Sequence, residues 1–270
     1  MPRELRPTKS FGGTISVPGD KSIAHRVALL SILAKSEISV RNFPISDDCT
    51  ASLKAAEILG VGVDRQGTNV TLTPPNSISI DPETIIDCGN SATTARLLSG
   101  IIAGSNITAT LAGDESLSQR PMNRVVEPLT EMGAEFFADD GHLPVRINGR
   151  RLLPFEYQLP VPSAQVKSAI LLAGLASSCS VTVRETVLSR DHTERMLEAL
   201  GAEILVREIK PVMVPDPVDP RKKKMEMPEE FKKEIVLSAQ AAVTGGSIDI
   251  PGDISTAAYF MVGAAIAGKT

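Results

Sequence analysis

Four stretches of this chain open alike, and a recurrence of that kind constrains architecture more tightly than local propensity does. Each begins with small or polar residues, continues as an apolar helix rich in Ala and Leu, and runs into a β-branched strand. The first goes from Lys21-Ser22-Ile23 to Ala34 and on to Ile38-Ser39-Val40. The second goes from Asn90-Ser91-Ala92 to Ala103 and on to Ile107-Thr108-Ala109, the third from Ser163-Ala164-Gln165 to Ala176 and on to Val181-Thr182-Val183. A fourth starts at Asp253-Ile254-Ser255, runs helically to Ala267 and reaches Thr270 where its strand is due. The pattern predicts a modular protein whose last residues fall inside a module.

Each of the first three modules has a second half. Ser46-Asp47-Asp48 precedes a helix over Ala51 to Leu59, Asp114-Glu115 one over Pro121 to Met132, and Ser189-Arg190-Asp191 one over Thr193 to Leu200. Ser and Asp at such places cap the free N–H groups of a first helical turn. Val125, Leu129 and Met132 share one face, as do Met196, Leu197 and Leu200. Gly60, Gly133 and Gly201 close these helices, since glycine supplies the left-handed conformation that ends a helix. Strands such as Val70 to Leu72 and Val145 to Ile147 follow. The unit is a lead-in strand, then helix, strand, helix, strand, strand; three units span about Ser16 to Ile250 and imply an α/β fold. Ile209 to Lys233 breaks the rhythm with five prolines and the basic run Arg221-Lys222-Lys223-Lys224, and reads as an exposed excursion.

Composition narrows the function. There is no tryptophan, there are two tyrosines, and the net charge is −4. Neither base-stacking aromatics nor a global basic field is present to hold a nucleic acid. Cys49, Cys88 and Cys179 are odd in number and lack CxxC spacing, which predicts reduced, buried thiols. His25, His142 and His192 show no paired spacing, so no metal site is expected. Met1 to Gly13 has no apolar core of a signal peptide, and the run Tyr259 to Ala267 is too short to cross a bilayer. The expectation is a cytoplasmic protein with no membrane contact.

The chemistry concentrates at the starts of the first-type helices. A helix N-terminus offers free N–H donors and the positive end of a dipole, which suit a phosphate or carboxylate. Gly19-Asp20-Lys21-Ser22 leads into such a helix, with Arg26 one turn on, and these side chains can add charge-assisted bonds to the same anion. Asn90 and Ser91, Ser163 and Gln165, and Asp253 and Ser255 occupy the equivalent places. Arg120 and Arg190 stand just ahead of second-type helices. If the modules are arranged symmetrically, these helix starts converge on one cleft for a multiply anionic small molecule.

At these residues the chain resembles 5-enolpyruvylshikimate-3-phosphate synthase, the 3-phosphoshikimate 1-carboxyvinyltransferase family. The motifs are GDKSIAHR (19–26), DCGNSATTARLL (87–98), QRPMNRVVEPL (119–129), PSAQVKSAILLAGL (162–175), SRDHTERM (189–196) and PGDISTAAYF (251–260). The resemblance implies repeated βαβαββ units with pseudo-threefold symmetry. It makes residues 18–250 one complete domain of three units, and 1–17 with 251–270 parts of a truncated second domain. It implies transfer of the enolpyruvyl group of phosphoenolpyruvate to the 5-hydroxyl of shikimate 3-phosphate, with release of phosphate, by a monomer that uses no cofactor and no metal. Lys21 would touch both substrates and act in catalysis. Ser22, Arg26, Ser163, Ala164, Gln165 and Arg190 would hold shikimate 3-phosphate, and Asn90, Ala92, Arg120 and again Gln165 the phosphoenolpyruvate.

Three departures from the family pattern carry expectations. Alanine replaces a common glycine at Ala92, as in the glyphosate-insensitive branch. Ala164 and His192 stand where other members carry a serine and an aromatic residue. The family's catalytic aspartate and glutamate fall beyond Thr270, so the chain alone is expected to turn over little or nothing. A fragment that only binds shikimate 3-phosphate is the alternative of a different class. UDP-N-acetylglucosamine enolpyruvyl transferase, a relative by fold, carries a reactive cysteine in the loop matching Gly113 to Pro121, where this chain has none.

Overall fold

Three sheets of four strands repeat one topology in the computed structural model, which describes residues 12–215, 223–227 and 230–267. The first unit supplies β1 (Ile38–Arg41), β2 (Gly62–Gln66) and β3 (Asn69–Thr73). The second supplies β4 (Ile85–Asp87), β5 (Thr108–Ala112), β6 (Glu135–Asp139) and β7 (His142–Asn148). The third supplies β8 (Phe155–Leu159), β9 (Val181–Glu185) and β10 (Ile204–Glu208), then a ribbon of β11 (Val212–Pro215) and β12 (Lys223–Glu226), then β13 (Lys233–Leu237). Last comes β14 (Gly246–Asp249).

The sheets run β14-β1-β3-β2, β4-β5-β7-β6 and β8-β9-β13-β10. In each, the first pair is parallel and the other two antiparallel. The first unit departs from expectation here. Residues 12–18 form no strand, and the lead-in position is filled by β14 from the far end of the three-unit region. Pairing Ile38 with Gly246 and Arg41 with Asp249 closes the ring of units, because the last segment completes the sheet that the first unit leaves one strand short.

Three helices start the units: α1 (Lys21–Leu30), α3 (Ala92–Gly104) and α6 (Ala164–Ser177). A short 3-10 turn, Ser31–Leu33, extends α1. These helices are apolar nearly all round, which suits burial on every side, and Val27, Leu30, Leu98, Ile101, Ile170 and Leu171 are closed to solvent. Their side chains pack against the inward faces of strands whose burial alternates, as in β1 and β9. The second-type helices α2 (Asp47–Ile58), α5 (Asn123–Glu131) and α7 (His192–Ala199) fill the gaps between them, α2 touching α1 and α3, α5 touching α3 and α6, and α7 touching α1. Gly60, Gly133 and Gly201 close these helices at φ of 93°, 111° and 84°, as expected.

Two local readings differ from expectation. Asp114 does not cap the long helix of the second unit. It caps a four-residue helix, α4 (Glu115–Ser118), through Leu117 N at 2.8 Å, and Pro121 separates α4 from α5. The second difference lies in the proline-rich excursion, which is exposed at Val212 and Met213 as expected, but pairs β11 with β12 as a ribbon and has its last residue, Lys233, buried at the head of β13. Ile209 N and Lys232 N donate to Lys232 O and Glu185 O and tie both ends of the excursion to the third sheet. Arg221 and Lys222 of the basic run lie outside the described residues.

The segment that follows β14 returns to the start of α1. Gly19 pairs antiparallel with Gly252, Asp20 N donates to Pro251 O, and Asp253 N donates to Pro18 O. A side chain at Gly19 would strike the Asn42 carbonyl, which is why the chain needs glycine there. From this pairing α8 (Ile254–Ile266) departs with no buried residue. Its Tyr259 and Ile266 are 82% and 83% exposed, so an apolar face lies open. Among the described residues no helix is long and apolar enough to cross a membrane.

Candidate ligand-binding site

All four first-type helices are capped in one way. The side chains of Asp20, Ser91 and Ser163 accept from the backbone N–H three residues on, and Asp253 accepts from Ser255 N and Thr256 N. Such caps fix the first turn, so the residues right after them point in a set direction. Burial works to raise the Asp253 carboxyl, but backbone N–H groups of Thr256, Lys21 and Ser255 hold it below the ordinary range. That contact, Lys21 N to Asp253 Oδ2 at 3.4 Å, puts the start of α8 beside the start of α1.

Between the starts of α1, α3 and α6 lie two adjoining cavities. The larger, about 520 Å³, has Ser22, Arg26, Ser163, Ala164, Gln165 and Arg190 in its lining. The smaller, about 300 Å³, has Lys21, Asn90, Ala92 and Arg120 in its lining. Ser22, Thr93 and Gln165 line both. The ten residues given substrate contacts by the family resemblance therefore each reach one of two neighbouring spaces, although they come from segments up to 169 positions apart, whereas Asp253 and Ser255 of the fourth helix start line neither. Five cationic side chains, Lys21, Arg26, Arg96, Arg120 and Arg190, face the pair of cavities against one carboxylate, Asp48.

Each cation is held by named contacts. Lys21 Nζ is 2.9 Å from Asp48 Oδ2, and that hydrogen bond raises its pKa above the ordinary lysine value against the opposing effect of burial. Arg26 is buried; its Nε donates to Thr193 Oγ1 at 2.8 Å, its Nη1 to Ser22 O at 2.8 Å and its Nη2 to Ser168 Oγ at 3.0 Å. Burial brings it down to about 10, with Glu194 pulling the other way. Arg190 Nη1 donates to Ser22 Oγ at 3.1 Å, and Arg120 Nη2 to Asn90 Oδ1 at 3.0 Å. Asn90 in turn donates to both oxygens of Asp114, which holds that carboxyl below its usual range with help from Leu117 N. Neutral acceptors dominate these contacts, so the cations keep capacity for an anion.

Sequence reasoning missed Asp48, Thr93, Arg96 and Ser189 as lining residues. Arg96 left a signal, as the single charge in an otherwise apolar and hydroxyl-bearing helix. Asp48 resembles one more residue of a capping turn, whereas Ser46 makes the cap, through Cys49 N, and leaves Asp48 to Lys21. His25 also reaches the smaller cavity; its Nδ1 pairs with Ser52 Oγ at 2.8 Å, and burial takes its pKa down to about 4, so it faces the site as neutral imidazole. Burial pushes the Cys49 thiol up to about 11 and Cys88 to about 12, which leaves them inert as nucleophiles near neutral pH. All three cysteines are buried and free. Among the described residues no His, Cys, Asp and Glu cluster could hold a metal ion.

Comparison with known proteins gives one consistent result. The model of the EPSP synthase (3-phosphoshikimate 1-carboxyvinyltransferase) family matches residues 5–270. A 3-phosphoshikimate 1-carboxyvinyltransferase of Citrifermentans bemidjiense is 42% identical over 261 residues, covering 96% of this chain and 55% of the relative. The protein of that name from Geobacillus thermodenitrificans is 42% identical over 260 residues, covering 95% of this chain and 55% of the relative. A solved structure of EPSP synthase from Acinetobacter baumannii superposes with a TM-score of 0.78 at 36% identity, covering 97% of this chain and 55% of that one. The chain thus spans about half the length of the relatives it matches.

Proposed function

The chain belongs to the EPSP synthase family, and from that membership we propose that its paired cavities serve enolpyruvyl transfer from phosphoenolpyruvate to the 5-hydroxyl of shikimate 3-phosphate. The observation that carries the reading is the pair of adjoining spaces, which share Ser22, Thr93 and Gln165 and are faced by five cations. Two anionic substrates that react with each other need two neighbouring anion sites with a common wall. Holding both in one geometry replaces a bimolecular encounter by an oriented one.

In this reading the larger cavity holds shikimate 3-phosphate, with Arg26 and Arg190 on its charged groups and Ser163, Ala164 and Gln165 at the phosphate. The smaller holds phosphoenolpyruvate against Asn90, Ala92 and Arg120. Lys21, in the lining of the smaller cavity, stabilises negative charge on both substrates and can pass a proton. The 5-hydroxyl oxygen gives up its proton as it adds to C2 of phosphoenolpyruvate, while C3 takes a proton and becomes a methyl group. Loss of a methyl proton with cleavage of the bond from C2 to the phosphate oxygen restores the double bond and releases phosphate. No metal or organic cofactor has a part in these steps. The protein is taken to act as a cytoplasmic monomer, with residues 18–250 as one domain and 1–17 and 251–270 as parts of a second.

Calorimetry with shikimate 3-phosphate tests the binding half on the 270-residue chain. Arg190→Met is expected to weaken binding about tenfold or more, the size of one charge-assisted hydrogen bond. Unchanged affinity in that variant, or no binding by the parent chain, would count against the reading. Phosphate release by the same chain is expected to be slight, and to appear in a polypeptide of the relatives' full length. Equal turnover by the two would defeat the placement of catalytic carboxylates in the additional part.

We also propose weak sensitivity to glyphosate. Ala92, the first residue of α3, faces the smaller cavity, and its methyl group crowds an inhibitor longer than phosphoenolpyruvate. Relief of such a clash is worth about tenfold or more in inhibition. In a form of the protein that turns over, Ala92→Gly should lower the half-inhibitory concentration by that factor. Potent inhibition of the parent, unaltered by the substitution, would sink the proposal.

A further inference from the structure

Arg96 is 5% exposed, yet no carboxylate lies among its hydrogen-bond partners. Nη1 donates to Gln165 Oε1 at 2.7 Å, Nη2 to Pro121 O at 3.1 Å, and Nε has no acceptor. Burial lowers its pKa to about 10, and the nearby Arg124 and Arg120 add to the effect. Burying a guanidinium this way is costly. A guanidinium in the second turn of α3, buried with no carboxylate partner, therefore calls for a role beyond packing.

Its contact with Gln165 supplies that role. A guanidinium carries only donors, so the Gln165 atom that faces it has to be the carbonyl oxygen. The amide nitrogen is thereby turned away, donates one hydrogen to Thr93 Oγ1 at 3.0 Å, and keeps a second N–H. Gln165 lies in the lining shared by both cavities. We propose that Arg96 is a positioning residue that locks the Gln165 amide, so that at the junction of the cavities Gln165 offers anionic ligands a donor and never an acceptor. Pro121 O steadies the guanidinium from the other side. Without the lock the amide is free to turn over and present lone pairs to an anion, which repel it. The inference rests on the enolpyruvyl-transfer reading only for the identity of that anion.

Two measurements on the 270-residue chain decide it. In the ligand-free protein, the Gln165 side-chain N–H resonances are expected to be well separated and slow to exchange with water. In Arg96→Met they should move toward free-amide positions; a spectrum like the parent's overturns the lock. The second measurement is calorimetry with phosphoenolpyruvate, in the presence of shikimate 3-phosphate, across a double-mutant cycle. Arg96→Met should weaken binding about tenfold in the parent and about twofold in a Gln165→Ala background, because the two residues act as one unit. Equal losses in both backgrounds would mean that Arg96 acts by its charge alone, and would overturn the proposal. If the parent fails to bind phosphoenolpyruvate, the functional reading falls while the amide spectrum still decides the lock. Should Arg96→Met not fold, Arg96→Lys replaces it in both measurements, since lysine keeps the charge and lacks the planar fork.

Discussion

Replacing Lys167 by methionine is expected to cost about 3–5 kcal/mol of stability, the penalty for stranding buried charge. The Lys167 ammonium lies 3.0 Å from Glu185 Oε2 and 2.6 Å from Glu194 Oε1, and all three residues are at most 2% exposed. The Glu194 oxygens have no aligned hydrogen-bond donor, so this carboxylate depends on the charge of Lys167 and, more remotely, on Arg26. Methionine fills the same space but leaves two carboxylates in the interior without their cation. The consequence reaches the site, because Glu185 Oε1 accepts from Ser189 N at 3.2 Å and from the Ser189 hydroxyl. Ser189 and Arg190 line the larger cavity, so the charge cluster is the footing of that wall. Urea denaturation followed by circular dichroism measures the loss. Adding Glu185→Gln and Glu194→Gln to Lys167→Met should restore much of it. A loss below about 1 kcal/mol in Lys167→Met would show that the ammonium is not the main partner of these carboxylates.

Gly100→Ala is the second large effect, at about 3 kcal/mol or more of destabilisation. Helices α3 and α6 cross with backbone against backbone. A Cβ at Gly100 would lie 2.8 Å from the carbonyl carbon of Ala169 and 3.0 Å from its Cα, and would overlap the carbonyl oxygen. One turn on, a Cβ at Gly104 would come within 2.9 Å of Ala176 Cβ. Alanine favours a helix over glycine by roughly 1 kcal/mol, so the clash has to exceed that gain before any loss is seen. Because the obstacle is main chain, no side-chain rotation relieves it and the helices must separate. Their N-terminal ends carry Ala92 and Gln165, so the Arg96–Gln165 contact should loosen with them. Chemical denaturation gives the loss directly, and an unchanged midpoint would show that the crossing opens at little cost.

Much of the architecture was legible because its determinants are local. Apolar periodicity marks helices and strands, Asp20, Ser46, Ser91, Ser163 and Asp253 cap the turns that follow them, and Gly60, Gly133 and Gly201 stop helices by adopting positive φ. These effects act within three or four residues, so they are written in the order of residues. Asp114 shows the limit. It has a capping residue's chemistry, but Pro121 breaks the helix that follows it, and the cap serves a short turn instead. The proline-rich excursion was legible as exposed, but not as the two-stranded ribbon in which β11 and β12 pair with each other.

The sequence by itself determined most of the helices and strands, the threefold repeat and the segments on which the ten candidate residues stand. The tertiary structure alone decided which elements meet. It seated β14 beside β1, a pairing 208 positions apart in the chain. It set Arg96 against Gln165 across the α3–α6 crossing, and Lys167 between Glu185 and Glu194 beneath the larger cavity. An apolar face on a helix states that something will cover it without naming the partner, and a buried charge pattern states that compensation is needed without saying from where. Packing of complementary shapes over long chain separations settles both, because the free energy of each such contact depends on all the others being in place.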